Sequence, residues 1–533
     1  APYGFLSFLK AIPVWLKQKL FFKRLLHEGL SKLEGCDKKK IKLLFTEHHL
    51  SHAASTFFAS NLNEAAILTI DGVGEWATAS ICKGEGNKIT KLKEMHFPHS
   101  LGLLYSAFTY YLGFKVNSGE YKLMGLAPYG DKDSQQVNDF VIKIKNNLVK
   151  IFDDGSMYMN QKYFNYATGL TMINDSTWEQ LFLLKRRKPE DEICQIHCNL
   201  ALAIQQVTEE CVIKMSKTAL TLSESNNLCL AGGVALNCVA NGKLLKEKIA
   251  DNIYVQPAAG DAGGSLGAAL SVYYIYLNNP RKVSSNYDSM KGSYLGPSFS
   301  TQEIDSVINK HKAVATILNE EQLLKQVAHL LKEGNVIGWF QGKMEFGPRA
   351  LGNRSILADA RNTEMQKKLN LKIKYRESFR PFAPCVLEED VSRYFELNES
   401  SPYMLFVANV NNIMHNKEEK NSISNNLINK LNAIRSDIPA VTHVDNSARI
   451  QTVNKQTNSK LHALLTQFKE QTTCSLLVNT SFNVRGEPIV CSPEDAFLCF
   501  MNTEMDYLVI ENYIFDKKKQ PIWEKKKIVF TND

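Results

Sequence analysis

The sequence AILTIDGVGEWATASI, residues 66–81, decides the fold class of this chain. Residues 66–70 are apolar or β-branched and predict a strand, and residues 76–81 predict a second one. Between them Asp71-Gly72-Val73-Gly74 predicts a turn, because aspartate and glycine accept the backbone angles that reverse a chain. The whole stretch therefore predicts a β-hairpin.

Strand-like and helical patterns alternate on both sides of this hairpin, from residue 41 to about residue 275. A long helix is predicted from about residue 196 to residue 220, before a strand at residues 228–231 and the turn Gly232-Gly233. Such alternation favours a layered α/β or α+β architecture.

A shift in composition divides the chain. After Pro280, residues rich in Asn, Ser, Lys and Gly run to about residue 298 without periodicity, and we interpret residues 286–298 as a linker. This predicts a first domain over residues 1–285 and a second over residues 299–533. Residues 411–436, rich in Asn, Lys and Ser, predict a surface insertion.

The overall composition excludes several classes of protein. The 533 residues carry 63 Lys and Arg against 55 Asp and Glu, a formal net charge of +8 that is spread over short runs and gives no reason to expect nucleic acid as a partner. No stretch approaches the ~18 apolar residues of a membrane-spanning helix. The 11 cysteines form no CxxC pair, so we expect them to be reduced and the protein to be cytoplasmic.

A histidine cluster lies in Glu47-His48-His49-Leu50-Ser51-His52. On a helix, His48 and His52 project from one face and can share a metal ion. Asp71 in the hairpin turn and Asp261 in a glycine-rich turn are candidates for the remaining ligands, and such a set suits zinc, iron or manganese. A His-x3-His pair on an exposed helix face that binds nothing is the alternative.

Two glycine-rich turns, at residues 231–237 and 260–264, each follow a strand and open a helix. Their backbone N–H groups can approach phosphate oxygens without a Cβ in the way, although neither turn is a Walker loop or a GxGxxG fingerprint. Tight turns in an α/β core explain them equally well. The candidate binding residues are Gly232, Gly233, Asn237 and Gly263.

Basic residues embedded among Gly, Pro and Phe recur in the second half, in segments 347–355, 372–384 and 443–449, before the polar run 478–483. Guanidinium groups suit the bidentate capture of phosphate or carboxylate. Structural ion pairs with Glu345, Glu377 and Asp359 are the alternative. The candidates are Arg349, Lys374, Arg380, Arg449, Asn479 and Ser481.

Taken together and in this order, these segments resemble the O-carbamoyltransferases of the nodulation-protein and antibiotic-tailoring type, the NodU/CmcH family. The resemblance covers most of the chain, with motifs at residues 48–55, 68–77, 96–130, 338–384 and 442–488. Family members begin with a strand, a His-Asp-rich turn and a hairpin, whereas this sequence starts after them. The resemblance therefore implies that the start of the first domain is truncated.

The resemblance implies an actin-like/sugar-kinase superfold domain followed by a YrdC-like domain. It further implies that the YrdC-like half makes carbamoyl adenylate from carbamoyl phosphate and ATP with Mg²⁺. The first domain would then move the carbamoyl group to a hydroxyl of a sugar, nucleotide-sugar or natural product. The implied partners are these small molecules, and a homodimer is left open.

The resemblance also implies roles for the residues of this sequence that match the family's motifs. An iron- or zinc-class metal is implied on His48, His52, Asp71 and Asp261, with the glycine turns holding the adenylate. The implied adenylate-forming pocket comprises Arg349, Lys374 and Arg449 as catalytic residues, with Arg380, Asn479 and Ser481 beside them.

Four other functions compete with this hypothesis. Threonylcarbamoyl transfer to tRNA would require a concentrated basic surface, which the diffuse charge disfavours. Hydrogenase maturation is disfavoured because the CxxC pairs of a zinc finger are absent from the sequence. A non-catalytic nucleotide-binding descendant and a sugar kinase remain as alternatives.

Overall fold

The computed structural model describes residues 4–33, 37, 40–284, 287–411 and 433–524. Over these residues the chain is a mixed α/β protein with a five-stranded, a nine-stranded and a two-stranded sheet. The predicted insertion at residues 411–436 lies mostly outside them, as does the predicted boundary at residues 285–286. The domain limits therefore stay a prediction.

The first half of the chain alternates strands with helices. Its strands are β1 (Glu64–Ile70), β2 (Ala77–Glu85), β3 (Lys88–His96), β4 (Val149–Ile151), β5 (Met157–Met159), β6 (Asn227–Ala231) and β7 (Asn252–Val255). Its helices are α1 (Phe5–Val14), α2 (Phe22–Leu30), α3 (His48–Phe57), α4 (Leu101–Tyr111), α5 (Glu120–Leu126), α6 (Gln135–Lys143), α7 (Asp175–Phe182), α8 (Gln195–Ser223), α9 (Cys238–Lys246) and α10 (Asp261–Leu270).

Strand β1 is the middle of the five-stranded sheet, whose order is β3-β2-β1-β6-β7. It pairs antiparallel with β2, which confirms the predicted hairpin, and parallel with β6, which in turn pairs parallel with β7. Every β1 residue after Glu64 is buried, as is typical of a strand covered on both faces. The carboxyl ends of β1, β6 and β7 meet at one edge, so the residues that follow them lie close together.

The second half contributes the larger sheet. Its strands are β8 (Thr316–Ile317), β9 (Ile337–Phe340), β10 (Arg354–Ala358), β11 (Ala383–Leu387), β12 (Phe406–Asn409), β13 (Ser447–Val453), β14 (Leu476–Ser481), β15 (Tyr507–Ile510) and β16 (Tyr513–Asp516). Its helices are α11 (Thr301–His311), α12 (Glu320–Lys332), α13 (Met365–Leu369), α14 (Val391–Tyr394), α15 (Ser459–Thr472) and α16 (Pro493–Asn502). The strand order is β12-β13-β11-β14-β10-β9-β15-β16-β8.

The two halves pack against each other. The buried apolar residues form two cores, and the core of the first half also takes in Tyr403, Met404, Leu405 and Phe406 from the second. Helix α9 approaches β12 so closely that a side chain at Gly242 would collide with the Val407 carbonyl. The Lys122 ammonium lies 2.9 Å from the Glu377 carboxylate of the other half, with both groups largely buried.

None of the helices in the described part of the chain combines the length and the apolar character that a membrane crossing requires.

Candidate functional site

The four predicted metal ligands converge at the edge where β1 and β7 end. His48 Nε2 lies 3.0 Å from His52 Nε2 and 3.0 Å from Asp71 Oδ2. His52 Nε2 lies 3.2 Å from Asp71 Oδ2 and 3.7 Å from Asp261 Oδ1, and the His48 to Asp261 distance is 3.4 Å. Four ligand atoms, one from each residue, all lie within 4.8 Å of one another.

These separations fit a small divalent cation. Bonds of roughly 2.1 Å to four tetrahedral ligands place the ligand atoms about 3.4 Å apart. The separations that involve a histidine, 3.0 to 3.7 Å, bracket this value. His52 is almost wholly buried whereas the Asp261 side chain is 81% exposed, so three ligands form the base of the site and Asp261 closes it from the solvent side.

Close backbone packing brings these residues together. His48 and His52 lie on α3, and Asp261 is the first residue of α10. A side chain at Gly267 of α10 would collide with the Ser51 carbonyl of α3. The two helices therefore pack at backbone distance, which carries Asp261 to the histidines.

The Asp71 carboxylate is oriented by two backbone amides. Its Oδ1 accepts hydrogen bonds from Gly72 N at 2.8 Å and from Gly233 N at 3.2 Å. Its Oδ2 is thereby turned toward His48 and His52. Gly232 has φ of +89°, a left-handed value that favours glycine and allows the turn to reach Asp71.

The charges in this cluster are strongly coupled. The hydrogen bond to Asp71 raises the pKa of His48. Burial opposes ionisation of Asp71, yet hydrogen bonds from His48 and His52 lower its pKa well below the usual range. Burial lowers the pKa of the neighbouring His49 to about 4, so that imidazole is neutral near pH 7. One carboxylate thus faces two ligand nitrogens, a donor set that suits a cation.

A cavity of about 160 Å³ lies between the two halves. Helices α5 and α9 of the first half contribute Tyr121, Met124, Cys238 and Val239. The second half contributes the polar wall, which includes Arg349, Arg376, Arg380, His443, Arg449, Asn479 and Ser481. We call this space the cationic cavity.

Polar atoms in this wall lack partners. Arg349 Nε, Arg449 Nε, His443 Nε2 and Asn479 Oδ1 are buried and make no hydrogen bond within the described structure. Burial first, and then the charge of Arg449, lower the pKa of Arg349 to about 9. Buried cations and polar atoms without partners are costly unless a ligand satisfies them. The arrangement therefore suits an anionic ligand with further hydrogen-bonding groups.

The alternative of structural ion pairs finds little support for Arg349 and Arg449. Glu345 Oε1 accepts backbone hydrogen bonds from Leu351 and Asn353. Asp359 pairs instead with Arg361 at 2.7 Å. Glu377 pairs with Lys122 at 2.9 Å and lies 3.6 Å from Arg380, so Arg380 alone of the predicted arginines has a carboxylate neighbour of this kind among the described residues.

Lys374 lies just behind the cavity wall. Its ammonium donates to the Ser481 carbonyl at 2.6 Å and to Asn483 Oδ1 at 2.7 Å, with Ser481 Oγ at 3.1 Å. Burial lowers the pKa of Lys374. These bonds fix the end of β14, on which Asn479 and Ser481 stand. Arg376 and His443 also line the cavity. They lie in the basic segments recognised in the sequence, but the family resemblance did not carry a site role onto them.

Asn237 and Gly263 each have a structural role in this chain, Asn237 through hydrogen bonds and Gly263 through close backbone packing. The Asn237 side chain accepts from Ala240 N at 3.1 Å and so caps α9, and it also contacts Gln205. A side chain at Gly263 would collide with the Ala258 carbonyl. Their predicted part in holding a nucleotide stays a prediction.

We call the group formed by His48, His52, Asp71 and Asp261 the metal cluster. It and the cationic cavity are connected by a short stretch of chain. Gly233 binds Asp71, whereas Cys238 and Val239 line the cavity. The five residue-to-residue steps from Gly233 to Cys238 span at most about 18 Å, and less because Gly233–Leu236 form a 3-10 turn.

Comparison with known proteins identifies the class. Residues 1–270 match the family model for the carbamoyltransferase N-terminus, and residues 328–517 match that for the carbamoyltransferase C-terminus. The chain belongs to the carbamoyltransferase family and is an enzyme of that class.

Individual relatives extend this result. The chain is 56% identical to the uncharacterized protein sll1178 of Synechocystis sp., over 98% of this chain and 84% of that protein. It is 36% identical to the nodulation protein NolNO of Sinorhizobium fredii, over 93% of this chain and 67% of that protein. It is 29% identical to the 3'-hydroxymethylcephem-O-carbamoyltransferase of Streptomyces clavuligerus, over 69% of this chain and 59% of that protein. The family resemblance seen in the sequence is confirmed.

Among solved structures, HypF of T. kodakarensis is 12% identical and aligns with 48% of this chain and 39% of its own, with a TM-score of 0.23, which is too low to define the fold.

Proposed function

We propose that this chain is an ATP-dependent O-carbamoyltransferase that makes carbamoyl adenylate and then carbamoylates a hydroxyl of a sugar, nucleotide-sugar or natural product. The observation that carries the proposal is the cationic cavity, whose buried Arg349, Arg449, His443 and Asn479 have unpartnered polar atoms, beside a cluster of two histidines and two aspartates. We also propose an actin-like first domain and a YrdC-like second domain. The mixed strand order β3-β2-β1-β6-β7 supports the first of these assignments.

The cationic cavity would carry out the activation half of the reaction. Water hydrolyses carbamoyl phosphate to carbamate and inorganic phosphate. A carboxylate oxygen of the carbamate then attacks the α-phosphorus of ATP and displaces pyrophosphate. Both reactants are anions, so Arg349 and Arg449 neutralise them, and Mg²⁺ on the nucleotide shares that charge. Asn479 and Ser481 bind neutral edges of the ligand, and Lys374 positions them.

The metal cluster would serve the transfer half. A bound metal of the iron or zinc class would supply Lewis-acid polarisation of the mixed anhydride. The Gly72 and Gly233 amides hold Asp71 and so orient it toward the histidines. Asp261 lies on the solvent side, from which an acceptor alcohol would approach. The alcohol oxygen attacks the carbamoyl carbon and releases its proton to solvent. The bond from that carbon to the adenylate phosphate oxygen breaks, and AMP leaves.

The cytoplasm is the compartment we propose, because ATP is available there and the ten described cysteines are free thiols.

Product analysis tests the proposal. The purified protein is incubated with ATP, carbamoyl phosphate and a pool of hydroxylated metabolites, and pyrophosphate and carbamoylated products are measured. We expect pyrophosphate release and a product heavier by one carbamoyl group. Absence of both would contradict the proposal, and ATP binding without pyrophosphate release would indicate a non-catalytic nucleotide-binding protein.

A further inference from the structure

A second cavity, of about 290 Å³, lies where the two halves meet the segment that joins them. The first half contributes Asn61 and Tyr254, the joining segment contributes Asp288, and the second half contributes Glu388 and Phe406. Its size is close to the lower end of the range for small-molecule sites. We call it the junction cavity.

The junction cavity is separate from the metal cluster. Asn61 precedes β1, whereas Asp71 follows it. A strand of 7 residues spans roughly 23 Å, so the two sites lie at opposite ends of β1. An occupant of the junction cavity is therefore not positioned for chemistry at the metal cluster.

One polar group at this cavity has no hydrogen-bond partner among the described residues, and two others bind each other. The Tyr254 hydroxyl is buried without a partner in the described structure. The Tyr403 hydroxyl lies 2.7 Å from both oxygens of Asp288, and burial raises the pKa of that carboxyl. A buried phenol without a partner carries a desolvation cost, and a ligand that reached the hydroxyl would relieve it.

The side chains that line the junction cavity favour one class of ligand. Tyr254, Tyr403 and Phe406 offer aromatic surface, while Asp288 and Glu388 accept hydrogen bonds and Asn61 can both donate and accept. Two carboxylates outnumber the single cation Lys291 at this cavity, which disfavours phosphates. Aromatic faces beside carboxylates and amides match a neutral sugar, whose C–H face packs on a ring while its hydroxyls donate and accept.

One segment connects the junction cavity to the cationic cavity. Tyr403, Leu405 and Phe406 line the junction cavity, whereas Met404 and Val407 of the same segment line the cationic cavity. Successive residues of a strand face opposite sides, which explains the division between Phe406 and Val407.

The same segment is tied directly to the cationic wall. Strand β12 pairs with β13 in a register that sets Val407 opposite Arg449. The Asn241 side chain of α9 donates to the Leu405 carbonyl at 3.1 Å. Ordering of residues 400–409 by a ligand would thus act on the backbone that carries Arg449.

We propose that the junction cavity is an effector site for a neutral, monosaccharide-sized ligand, and that its occupancy orders the segment shared with the cationic cavity.

Ligand-observed NMR on the full chain tests the binding step, with glucose, mannose and N-acetylglucosamine as probes and inorganic phosphate and glucosamine as the anionic and cationic comparisons. We expect at least one neutral sugar to bind at millimolar concentration, and phosphate not to displace it. Tyr254→Phe should weaken that binding roughly three- to tenfold, since it removes one hydrogen bond to the ligand. The same change should not lower the melting temperature, because the hydroxyl has no protein partner to lose.

Further variants locate the bound sugar. Tyr287→Ala, which removes a ring that is 46% exposed, should also weaken binding. Tyr166→Phe, whose hydroxyl donates to the Pro98 carbonyl away from the cavity, should leave the affinity unchanged. Failure of all three neutral sugars to bind, or binding that neither Tyr254→Phe nor Tyr287→Ala affects, would overturn the proposal.

Hydrogen–deuterium exchange tests the coupling without relying on any catalytic activity. Saturating sugar should slow amide exchange in residues 400–409 and in β13. Unchanged exchange in both segments with the sugar bound would overturn the effector role.

Discussion

Gly233 N donates a hydrogen bond to Asp71 Oδ1 over 3.2 Å, and this contact joins the turn after β6 to the metal cluster after β1. The other Asp71 oxygen faces His48 and His52. A glycine turn that seemed suited to phosphate thus also orients a metal ligand. Partners that orient ligands in this way commonly change metal affinity 10- to 100-fold when they are altered, which is about the effect expected here.

Gly233→Ala should weaken metal binding. A Cβ at this position would lie 2.9 Å from Asp71 Oδ1 and push the carboxylate from its place. We expect metal affinity to fall at least about tenfold, as measured by elemental analysis after dialysis against graded metal buffers. Gly264→Ala is the matched control, because a Cβ there meets nothing within 4 Å. Equal metal content in the two variants would contradict this role for Gly233.

The local parts of the fold were predictable from the sequence. The hairpin of β1 and β2 follows from the turn at residues 71–74. Helix α12 begins where Asn319 accepts from Gln322 N at 2.9 Å and stops before Gly334, whose φ is +80°. The convergence of the four candidate ligands was predictable because three of them lie at or near the ends of elements and the fourth, His52, lies one helical turn after His48.

Long-range pairing was beyond the reach of sequence patterns. Strand β15 pairs parallel with β9 across more than a hundred residues, and β11 lies between β13 and β14. Charge patterns also do not tell which oxygens a buried cation meets, so the bonds from Lys374 to Ser481 and Asn483 appear only in the folded chain. The junction cavity is lined by residues from six separate stretches of sequence, and local periodicity gives no sign of it.

Lys122→Met should loosen the contact between the halves in a pH-dependent way. Burial opposes ionisation of Glu377, but the charge and hydrogen bond of Lys122 lower its pKa to about 2. This stabilisation is present above the ordinary pKa of about 4.3 and is lost as the pH falls toward 2. Removing one member of a buried pair costs on the order of 3 kcal/mol, so the free energy of unfolding at pH 7.5 should fall by about that amount.

The loss of unfolding free energy in Lys122→Met should also depend on pH. Without Lys122, only Arg380 and a backbone hydrogen bond oppose the effect of burial on the Glu377 pKa. The variant's carboxyl therefore takes up its proton at a higher pH than the wild-type carboxylate does. The difference between the two urea unfolding free energies should therefore narrow from pH 7.5 to pH 4. A difference that widens over this range would contradict the assignment, and Lys122→Met/Glu377→Gln should recover much of the loss at pH 7.5.

Zn²⁺ or Fe²⁺ should raise the melting temperature of the chelator-treated protein. A ligand that binds the native state alone stabilises it by about 2.7 kcal/mol at a hundred times its dissociation constant. Asp71→Asn should reduce the shift strongly, since it weakens the central ligand of the cluster. His96→Ala, which removes a histidine whose side chain is 58% exposed, is the control and should retain the full shift. A shift that survives Asp71→Asn unchanged would show that the metal binds elsewhere.

The most direct test is whether pyrophosphate release and carbamoyl transfer depend on different sites. Pyrophosphate release and carbamoyl transfer are measured in parallel for His52→Ala and Arg349→Ala, with Arg393→Ala as a control at an exposed arginine. We predict that His52→Ala releases pyrophosphate at close to the wild-type rate but transfers no carbamoyl group, because activation does not need the metal cluster. Arg349→Ala should lose both activities. Equal loss of pyrophosphate release in His52→Ala and Arg349→Ala would contradict the existence of two cooperating sites.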